Sequence, residues 1–400
     1  MNILFICNEY PPGKSGGIGS STRTLARGLQ AAGHAVFVAG LYAPGYGQKD
    51  YEEDLGVRVW RKRFGIDFGW LKNDYSLMDT LLLKVFKMTG ILQRDAAKSA
   101  LAFHSFLSEL IEKFNIDIVE WPDFNEYFSY LPPSFSWPVL RVPLVVKFHG
   151  TKSYIEHNMK EKVDPGTYQM EKKHLERADA LVSVSRNTAD NYTSFYGIDK
   201  DIKVLYNSIE LSPVTYSAGD PSQTIIFTGT LTPLKGINSL LEAWNLVHAE
   251  RPGARLRVFG KGNPEVFSPR LSKSAQGSVQ FEGFVTRGEL YQAMSTAAAA
   301  IFPSYTECFA VAPLEAMAVG CPVIYTERVS GPELIQTGVN GILIDPDNYR
   351  QIADAILGLL ESKELREKFS KNGRQTIEQR FDIRISIKDH IEFYEGLITD

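Results

Sequence analysis

Two glutamates eight residues apart, Glu307 and Glu315, mark the part of this 400-residue chain where residue types and spacing point most directly to chemistry. They lie in Pro303-Ser304-Tyr305-Thr306-Glu307-Cys308-Phe309-Ala310-Val311-Ala312-Pro313-Leu314-Glu315. An apolar run, Ala299–Phe302, reads as a strand that ends just before this loop. Pro313 falls in the first turn of the helix that follows, where a missing N–H is harmless. The free N–H groups and dipole of such a helix start favour an anion, and two carboxylates accept hydrogen bonds from hydroxyls. An anion and several hydroxyls in one ligand describe a nucleotide sugar. The plainer reading of the same residues is a helix N-terminus decorated with acids.

The elements that must position this segment form a repeated pattern. Strand Ile3–Cys7 leads through Pro11-Pro12-Gly13-Lys14-Ser15-Gly16-Gly17-Ile18-Gly19 into a helix with Leu25, Leu29 and Ala32 on one face. Ser20 or Ser21 is expected to cap that helix and Gly33 to end it. A second opening begins at Thr224-Ile225-Ile226-Phe227, turns through Gly229 to Gly236, and continues as a helix carrying Ile237, Leu240, Leu241, Trp244 and Val247 on one face. Strand-like runs at Leu144–Phe148, Ala180–Val184, Leu256–Phe259, Ala299–Phe302 and Val323–Tyr325 alternate with helical patterns, as in doubly wound parallel sheets. The Pro-, Ser- and Gly-rich stretch 212–222 reads as a linker. The expected fold is α/β, two Rossmann-like domains over 1–210 and 222–381, with a ligand cleft at the carboxyl ends of the strands.

Composition restricts the partners. With 43 basic and 47 acidic residues the net charge is −4, so no broad positive field exists to hold nucleic acid. At 44% hydrophobic and 22% charged, the chain has the make-up of a globular protein. Three cysteines without a close pair argue against a disulfide framework or a thiolate zinc site and fit a cytoplasmic location. The start, Met1–Glu9, has no basic region and too short an apolar run for a signal peptide.

The segment 307–315 closely resembles the E-x7-E signature of the family 4 retaining glycosyltransferases of the GT-B fold. Other stretches follow the family in order: the glycine-rich loop at 16–19, Phe148-His149-Gly150, the Gly229-to-Gly236 turn with Lys235, Phe259-Gly260-Lys261-Gly262, Glu282-Gly283-Phe284-Val285, and Gly338-Val339-Asn340-Gly341-Ile342-Leu343-Ile344. The resemblance spans nearly the whole chain.

It implies two doubly wound domains facing each other, with the tail 382–400 crossing back onto the N-terminal one. It also implies that Glu307 meets hydroxyls of the donor sugar and Glu315 the ribose, while Lys235 and amides near Phe309, Ala310 and Val311 hold the pyrophosphate. Gly16 and Gly17 would admit a phosphate where a Cβ would intrude. His149 would reach the donor sugar, and backbone around Phe284 and Val285 would bracket the base. No cofactor is implied beyond the UDP- or GDP-linked sugar itself. Retention would follow from same-face attack within an ion pair or from a glycosyl-enzyme intermediate. The family usually has arginine where this chain has Thr230, so that phosphate contact is missing or supplied by Arg23 or Lys261. Cys308 and Ala310 add bulk where glycines are common.

Trp121, Asp123, Asn125 and Glu126 follow the strand Ile116–Val119, are expected to face the cleft mouth, and are acceptor candidates. The acceptor itself is a glycan, a lipid-linked sugar or a small molecule. From Tyr75 to Leu110, basic residues interspersed with Leu, Met and Phe suit either core packing or peripheral contact with an anionic membrane at its cytoplasmic face.

Several motifs are decoys. Gly13-Lys14-Ser15 lacks the first glycine of a P-loop, and two prolines remove N–H donors from it. Asp67-Phe68-Gly69 lacks the other parts of a kinase. Asp199-Lys200-Asp201 and Asp345-Pro346-Asp347 follow turns, and Asp347 is expected to cap a helix rather than hold a metal. No metal site is expected, and His34 reads as a capping or surface residue. Glu307 and Glu315 read as hydroxyl acceptors rather than as the acid and base of a hydrolase. The competing classes are a nucleotide-sugar epimerase or a phosphorylase of the same fold, and a silent sugar-nucleotide binder.

Overall fold

The computed structural model describes residues 1–13, 16–42, 48–63, 89–217 and 223–399. The chain divides into two compact units, each built on its own sheet. The first comprises Met1–Val184, Thr188–Leu205 and Ile387–Asp400, and the second Ser185–Asn187 and Tyr206–Ser386.

The first unit carries β1 (Asn2–Ile6), β2 (Ala35–Tyr42), β3 (Tyr51–Asp54), β4 (Val57–Arg63), β5 (Ile118–Pro122), β6 (Leu144–Phe148), β7 (Ala180–Ser183) and β8 (Ile202–Val204). They lie in the order β3-β4-β2-β1-β5-β6-β7-β8 and pair in parallel, except the antiparallel edge pair β3–β4. β5 and β6 are buried along their whole length, as strands covered on both faces must be. The helices named below are α1 (Gly17–Ala31), α2 (Ile91–Phe114), α3 (Lys152–Asn158), α4 (Pro165–Glu176) and α5 (Arg186–Tyr196).

The second unit carries β9 (Thr224–Thr228), β10 (Arg255–Phe259), β11 (Val279–Gly283), β12 (Ala299–Phe302), β13 (Val323–Thr326) and β14 (Ile342–Ile344), in the order β11-β10-β9-β12-β13-β14, all parallel. Its helices include α6 (Ile237–Glu250), α7 (Arg287–Thr296), α8 (Val311–Val319), α9 (Gly331–Leu334), α10 (Tyr349–Glu361) and α11 (Lys363–Thr376); α12 (Ile383–Thr399) closes the chain. The expected apolar face of α6 is fully buried, and Trp244 Nε1 donates to Ser278 Oγ at 2.9 Å.

In each sheet the first strand lies centrally and the chain winds outward from it in both directions, so a switch point lies beside β1/β5 and beside β9/β12. In such sheets ligands bind at the loops after those strands.

Local details differ from the sequence reading. Ser20 and Ser21 lie inside α1, which starts at Gly17 with Gly16 as an N-cap lacking any side-chain bond. Asn348, not Asp347, caps α10, by accepting from Gln351 N at 3.1 Å. Asp347 instead pairs with Arg328 at 2.6 Å and accepts from Tyr305 Oη at 2.9 Å. The unit boundary falls at Leu205/Tyr206, ahead of the Pro/Ser/Gly-rich stretch. Residues just after it are tied to the second unit, where Ile209 N donates to Phe381 O at 2.9 Å and Asn207 Nδ2 to Phe309 O at 2.9 Å.

Lys14, Ser15, the triplet 67–69 and residues 75–88 of the basic apolar segment lie outside the described residues. The described remainder of that segment, α2, buries Leu92, Ala96, Ala100, Phe103, Leu107 and Leu110 and exposes Arg94 and Lys98, the pattern of a helix packed on its own core. Among the described residues, no helix is long and apolar enough to cross a membrane.

Candidate functional site

In the second unit, three loops at the ends of β9, β10 and β12 converge. Gly229 N donates to Phe259 O at 3.0 Å, and Gly260 packs so closely that a Cβ there would lie 1.9 Å from Gly229 O. After β9 the chain makes a single turn, Pro233–Lys235, and reverses at Gly236 with φ 72°. Glycine is obligatory here twice over, because the left-handed backbone disfavours a side chain and an added Cβ would stand 1.8 Å from Pro303 O. Tyr305 N donates to Leu234 O at 2.8 Å, so the turn bearing Lys235 and the loop bearing Glu307 form one body. Lys235 Nζ pairs directly with Glu307 Oε1, and Ser304 Oγ donates to the same oxygen at 3.1 Å.

Glu307 is thus aimed by two donors, with a second carboxylate oxygen left for a ligand. Its side chain retains 13% exposure and Lys235 32%, so both are largely desolvated yet reachable. The helix α8 follows with Ala310 as N-cap, which has no side chain able to take up the first-turn N–H groups. Those donors remain for an external anion. Phe309 and Ala310 hold this entry, Phe309 being packed at 5.0 Å from Tyr206 and 5.4 Å from Phe381, while Cys308 is buried against the loop.

Glu315 lies within α8 and is held by a residue the sequence reading did not single out. Arg287, the first residue of α7, donates from Nε at 2.9 Å and pairs through Nη2 at 2.7 Å, both to Glu315 Oε1, and Tyr291 Oη reaches the same oxygen at 3.4 Å. Oε2 again remains for a ligand. Only the positions of Arg287 and Tyr291 on one face of a predicted helix could have signalled this, because the contact joins two helices.

Phe284 is 70% exposed, with Lys261 Nζ 4.8 Å from its ring centroid, and Val285 is half-buried beside it. Thr230 is exposed. Of the two cations considered in place of an arginine there, Lys261 stands over Phe284, whereas Arg23 is in the first unit and pairs with Asp54 at 3.3 Å.

In the first unit, the glycine loop is organised by Glu9. Its carboxylate accepts from Gly19 N at 2.8 Å, and burial pushes its pKa above the ordinary carboxyl value against the pull of the Gly19, Gly16 and Ile18 amides. An added Cβ at Gly16 would come within 3.0 Å of Glu9 Oε2, whereas at Gly17 it would meet nothing within 4 Å among the described residues. Gly16 is therefore small for the sake of Glu9.

His149 follows β6 and its N–H donates to Asp123 Oδ1 at 2.8 Å. Burial, with the Lys147 charge nearby, pushes its pKa down to about 3, so the imidazole is neutral near pH 7.

The acceptor candidates largely leave the surface. Trp121 is still inside β5, 0% exposed, with its Nε1 donating to Asn125 Oδ1 at 3.2 Å. Asn125 is buried, accepts from Asn8 Nδ2 at 3.0 Å and donates to Pro122 O at 2.9 Å. Asp123 is 1% exposed and occupied by backbone amides. Only Glu126, the first residue of a short 3-10 turn, is exposed. The expectation of a strand ending at Val119 fails because β5 continues to Pro122, which draws Trp121 into the core. His34 is half-buried with Nδ1 3.2 Å from the N-terminal amine. Among the described residues, no group of three or more His, Cys, Asp or Glu is placed to hold a metal ion.

Comparisons with known proteins agree with these two halves. Residues 15–213 match the family described as Glycosyltransferase Family 4, and residues 212–376 match Glycosyl transferases group 1. An uncharacterised glycosyltransferase of Methanocaldococcus jannaschii is 26% identical over 99% of this chain and 98% of its own length. In structure, the sucrose-phosphate synthase of Thermosynechococcus elongatus is similar with a TM-score of 0.76 at 18% identity, over 100% of this chain and 99% of that one. The Anabaena protein HepE, determined in complex with UDP and glucose, is similar with a TM-score of 0.69 at 19% identity, over 99% and 100% of the two chains.

Proposed function

The chain belongs to glycosyltransferase family 4 and has the GT-B fold, and from that premise we propose that it moves a sugar from a UDP- or GDP-linked donor to a hydroxyl of a glycan, lipid-linked or small-molecule acceptor, with retention. The observation that carries this reading is the cluster of Lys235, Glu307, Glu315 and the uncapped start of α8. A nucleoside-diphosphate sugar presents a diphosphate and two sets of sugar hydroxyls, and this cluster offers a cation, helix amides and two oriented carboxylates.

Breaking the bond between the anomeric carbon and the diphosphate oxygen leaves negative charge on the departing nucleotide. Lys235 Nζ and the first-turn amides of α8 receive that charge, as preorganised donors in a partly desolvated setting. They, rather than a resident metal ion, serve as the electrophile. Glu307 accepts from hydroxyls of the transferred sugar and Glu315 from the ribose, which orients the anomeric carbon. Gly229, Phe284 and Val285 border the nucleotide. The neutral His149 offers a hydrogen bond to the sugar without placing a second cation beside an oxocarbenium-like centre. HepE, seen with UDP and glucose, supports the choice of donor class.

A panel of UDP- and GDP-sugars, ranked by the rise in melting temperature they cause and followed by nucleotide release with and without acceptors, tests the reading. Lys235→Ala and Glu307→Ala are expected to lower turnover by at least about 100-fold, on the scale of losing one transition-state donor, with melting little changed. Unaltered turnover in both, or a protein that no nucleoside-diphosphate sugar stabilises, would sink it.

A further inference from the structure

We propose that Asp123 and Tyr192 are positioning residues that set the His149 loop for sugar transfer. This rests on the reading of His149 as a residue that meets the sugar. The loop 149–151 leaves β6 with no backbone acceptor for its amides, and side chains take all three. His149 N donates to Asp123 Oδ1 at 2.8 Å, Gly150 N to Asp123 Oδ2 at 3.2 Å, and Thr151 N to Tyr192 Oη at 2.7 Å. Tyr192 Oη in turn donates to Asp123 Oδ2 at 2.6 Å. One hydroxyl thereby links the carboxylate that holds two amides to the amide that follows them.

The geometry is enclosed. Asp123 is 1% exposed and Tyr192 0%, and the Tyr192 ring is stacked on Phe148 with centroids 4.5 Å apart. A second tier continues the network. Thr151 Oγ1 meets Tyr196 Oη at 2.5 Å, Tyr196 Oη donates to Glu171 Oε2 at 3.0 Å, and Ser153 N donates to the Glu171 carboxylate at 3.3 Å. Asp123 comes from the end of β5, Glu171 from α4 and the tyrosines from α5, so the loop is fixed from three elements. Chains of buried hydrogen bonds hold geometry only while every member is satisfied.

Two amides and a hydroxyl are matched by an ionised carboxylate, which accepts with both oxygens; a protonated one must donate from one of them. Burial raises Asp123 to about 6, and its hydrogen bonds from Tyr192, His149 and Gly150 pull against that rise. The other titratable groups around it are His149 itself, Glu171 and His174 from α4, and Tyr196 from α5. His149 is neutral here, and burial pushes Glu171 up to about 7 and His174 well below the ordinary histidine value. Activity then falls as pH drops through the Asp123 transition, and removing the Tyr192 hydroxyl moves that fall to higher pH.

Tyr192→Phe keeps the stacked ring and removes only the hydroxyl. The expected result is a kcat lowered about tenfold, donor KM within about twofold, and an acid limb of the kcat–pH profile displaced upward, as misplacement of a reacting contact by a fraction of an ångström would give. Asp123→Asn is the second variant. It keeps an acceptor for His149 N but cannot ionise, so the acid limb near pH 6 should vanish. The His149 and Gly150 amide proton shifts, followed by NMR against pH, read the anchoring without turnover. They should titrate together in the wild type and at higher pH in Tyr192→Phe. If the wild type transfers no sugar, the donor assignment fails and the amide titration still reads the network. Amides that do not titrate, or a Tyr192→Phe enzyme with wild-type kcat and acid limb, overturn the proposal.

Discussion

Arg287 shows how much a site can depend on a residue that no motif contains. Its guanidinium meets one oxygen of Glu315, Oε1, from two nitrogens. The Glu315 charge holds Arg287 above its ordinary pKa although burial opposes this, so the guanidinium stays charged throughout the working range. A charged, two-pronged contact of this kind fixes a rotamer more than it adds stability, since the Arg287 side chain is 45% exposed and screened. Arg287→Ala should therefore raise donor KM by roughly tenfold, worth about 1.4 kcal/mol, and leave kcat within about twofold. Initial-rate kinetics with varied donor checks this; an unchanged KM would show that Glu315 needs no partner. The two glutamates were legible in the sequence because their spacing is local. Arg287 was not, because its contact exists only once α7 packs on α8.

At the scale of elements, the glycines at 229, 236 and 260 bring three loops together with their backbones nearly touching. The Gly236 contact ties the Lys235 turn to the strand end that precedes Glu307. Gly236→Ala must move Pro303 or the turn, so Lys235 and Glu307 separate. Strain of about 1–3 kcal/mol and a loss of transfer larger than the loss of stability are expected. Melting curves alongside turnover separate the two effects, and transfer at the wild-type rate would refute the link. The turn from Gly229 to Gly236 was recognisable in the sequence as a loop following a strand, a candidate for the site. That Gly236 faces Pro303 was not, since β9 and β12 become neighbours only through the sheet order. The reverse error occurred at β5, where local pattern ended the strand at Val119 while pairing with β6 carried it to Pro122 and buried Trp121.

At the scale of the whole molecule, the end of the chain returns to the first unit, to which Ile387–Asp400 belongs. There α12 presents Tyr394 and His390 to the underside of β5 and β6. Tyr394 Oη donates to Glu120 Oε2 at 2.5 Å, Lys147 Nζ lies 3.6 Å from Glu120 Oε1, and His390 Nε2 is 3.3 Å from Lys147 Nζ. This buried pair sits on the two strands whose ends carry Asp123 and His149. Tyr394→Phe leaves a buried carboxylate one donor short and should cost about 1–3 kcal/mol of stability, read as a lower melting temperature. A melting temperature equal to the wild type would show that the hydroxyl carries no weight. The family resemblance implied a tail over 382–400 crossing back, whereas the polar partners of Tyr394 and His390 are more than two hundred residues away in sequence and carry no local signal.

The sequence by itself determined two parallel α/β units and singled out Glu307, Glu315 and Lys235 as candidate donor contacts, because strand runs, glycine turns and the E-x7-E spacing of the family it resembles are local patterns. Only the tertiary structure decided which side chains hold those residues in place. Arg287 on Glu315, Glu9 on Gly19, and Tyr192 with Asp123 on the His149 loop each join segments from different elements. Burial reversed the roles of Trp121, Asp123 and Asn125 from exposed acceptor contacts to internal supports. A buried polar group must find its partner in space, and which partner that is depends on how the elements pack.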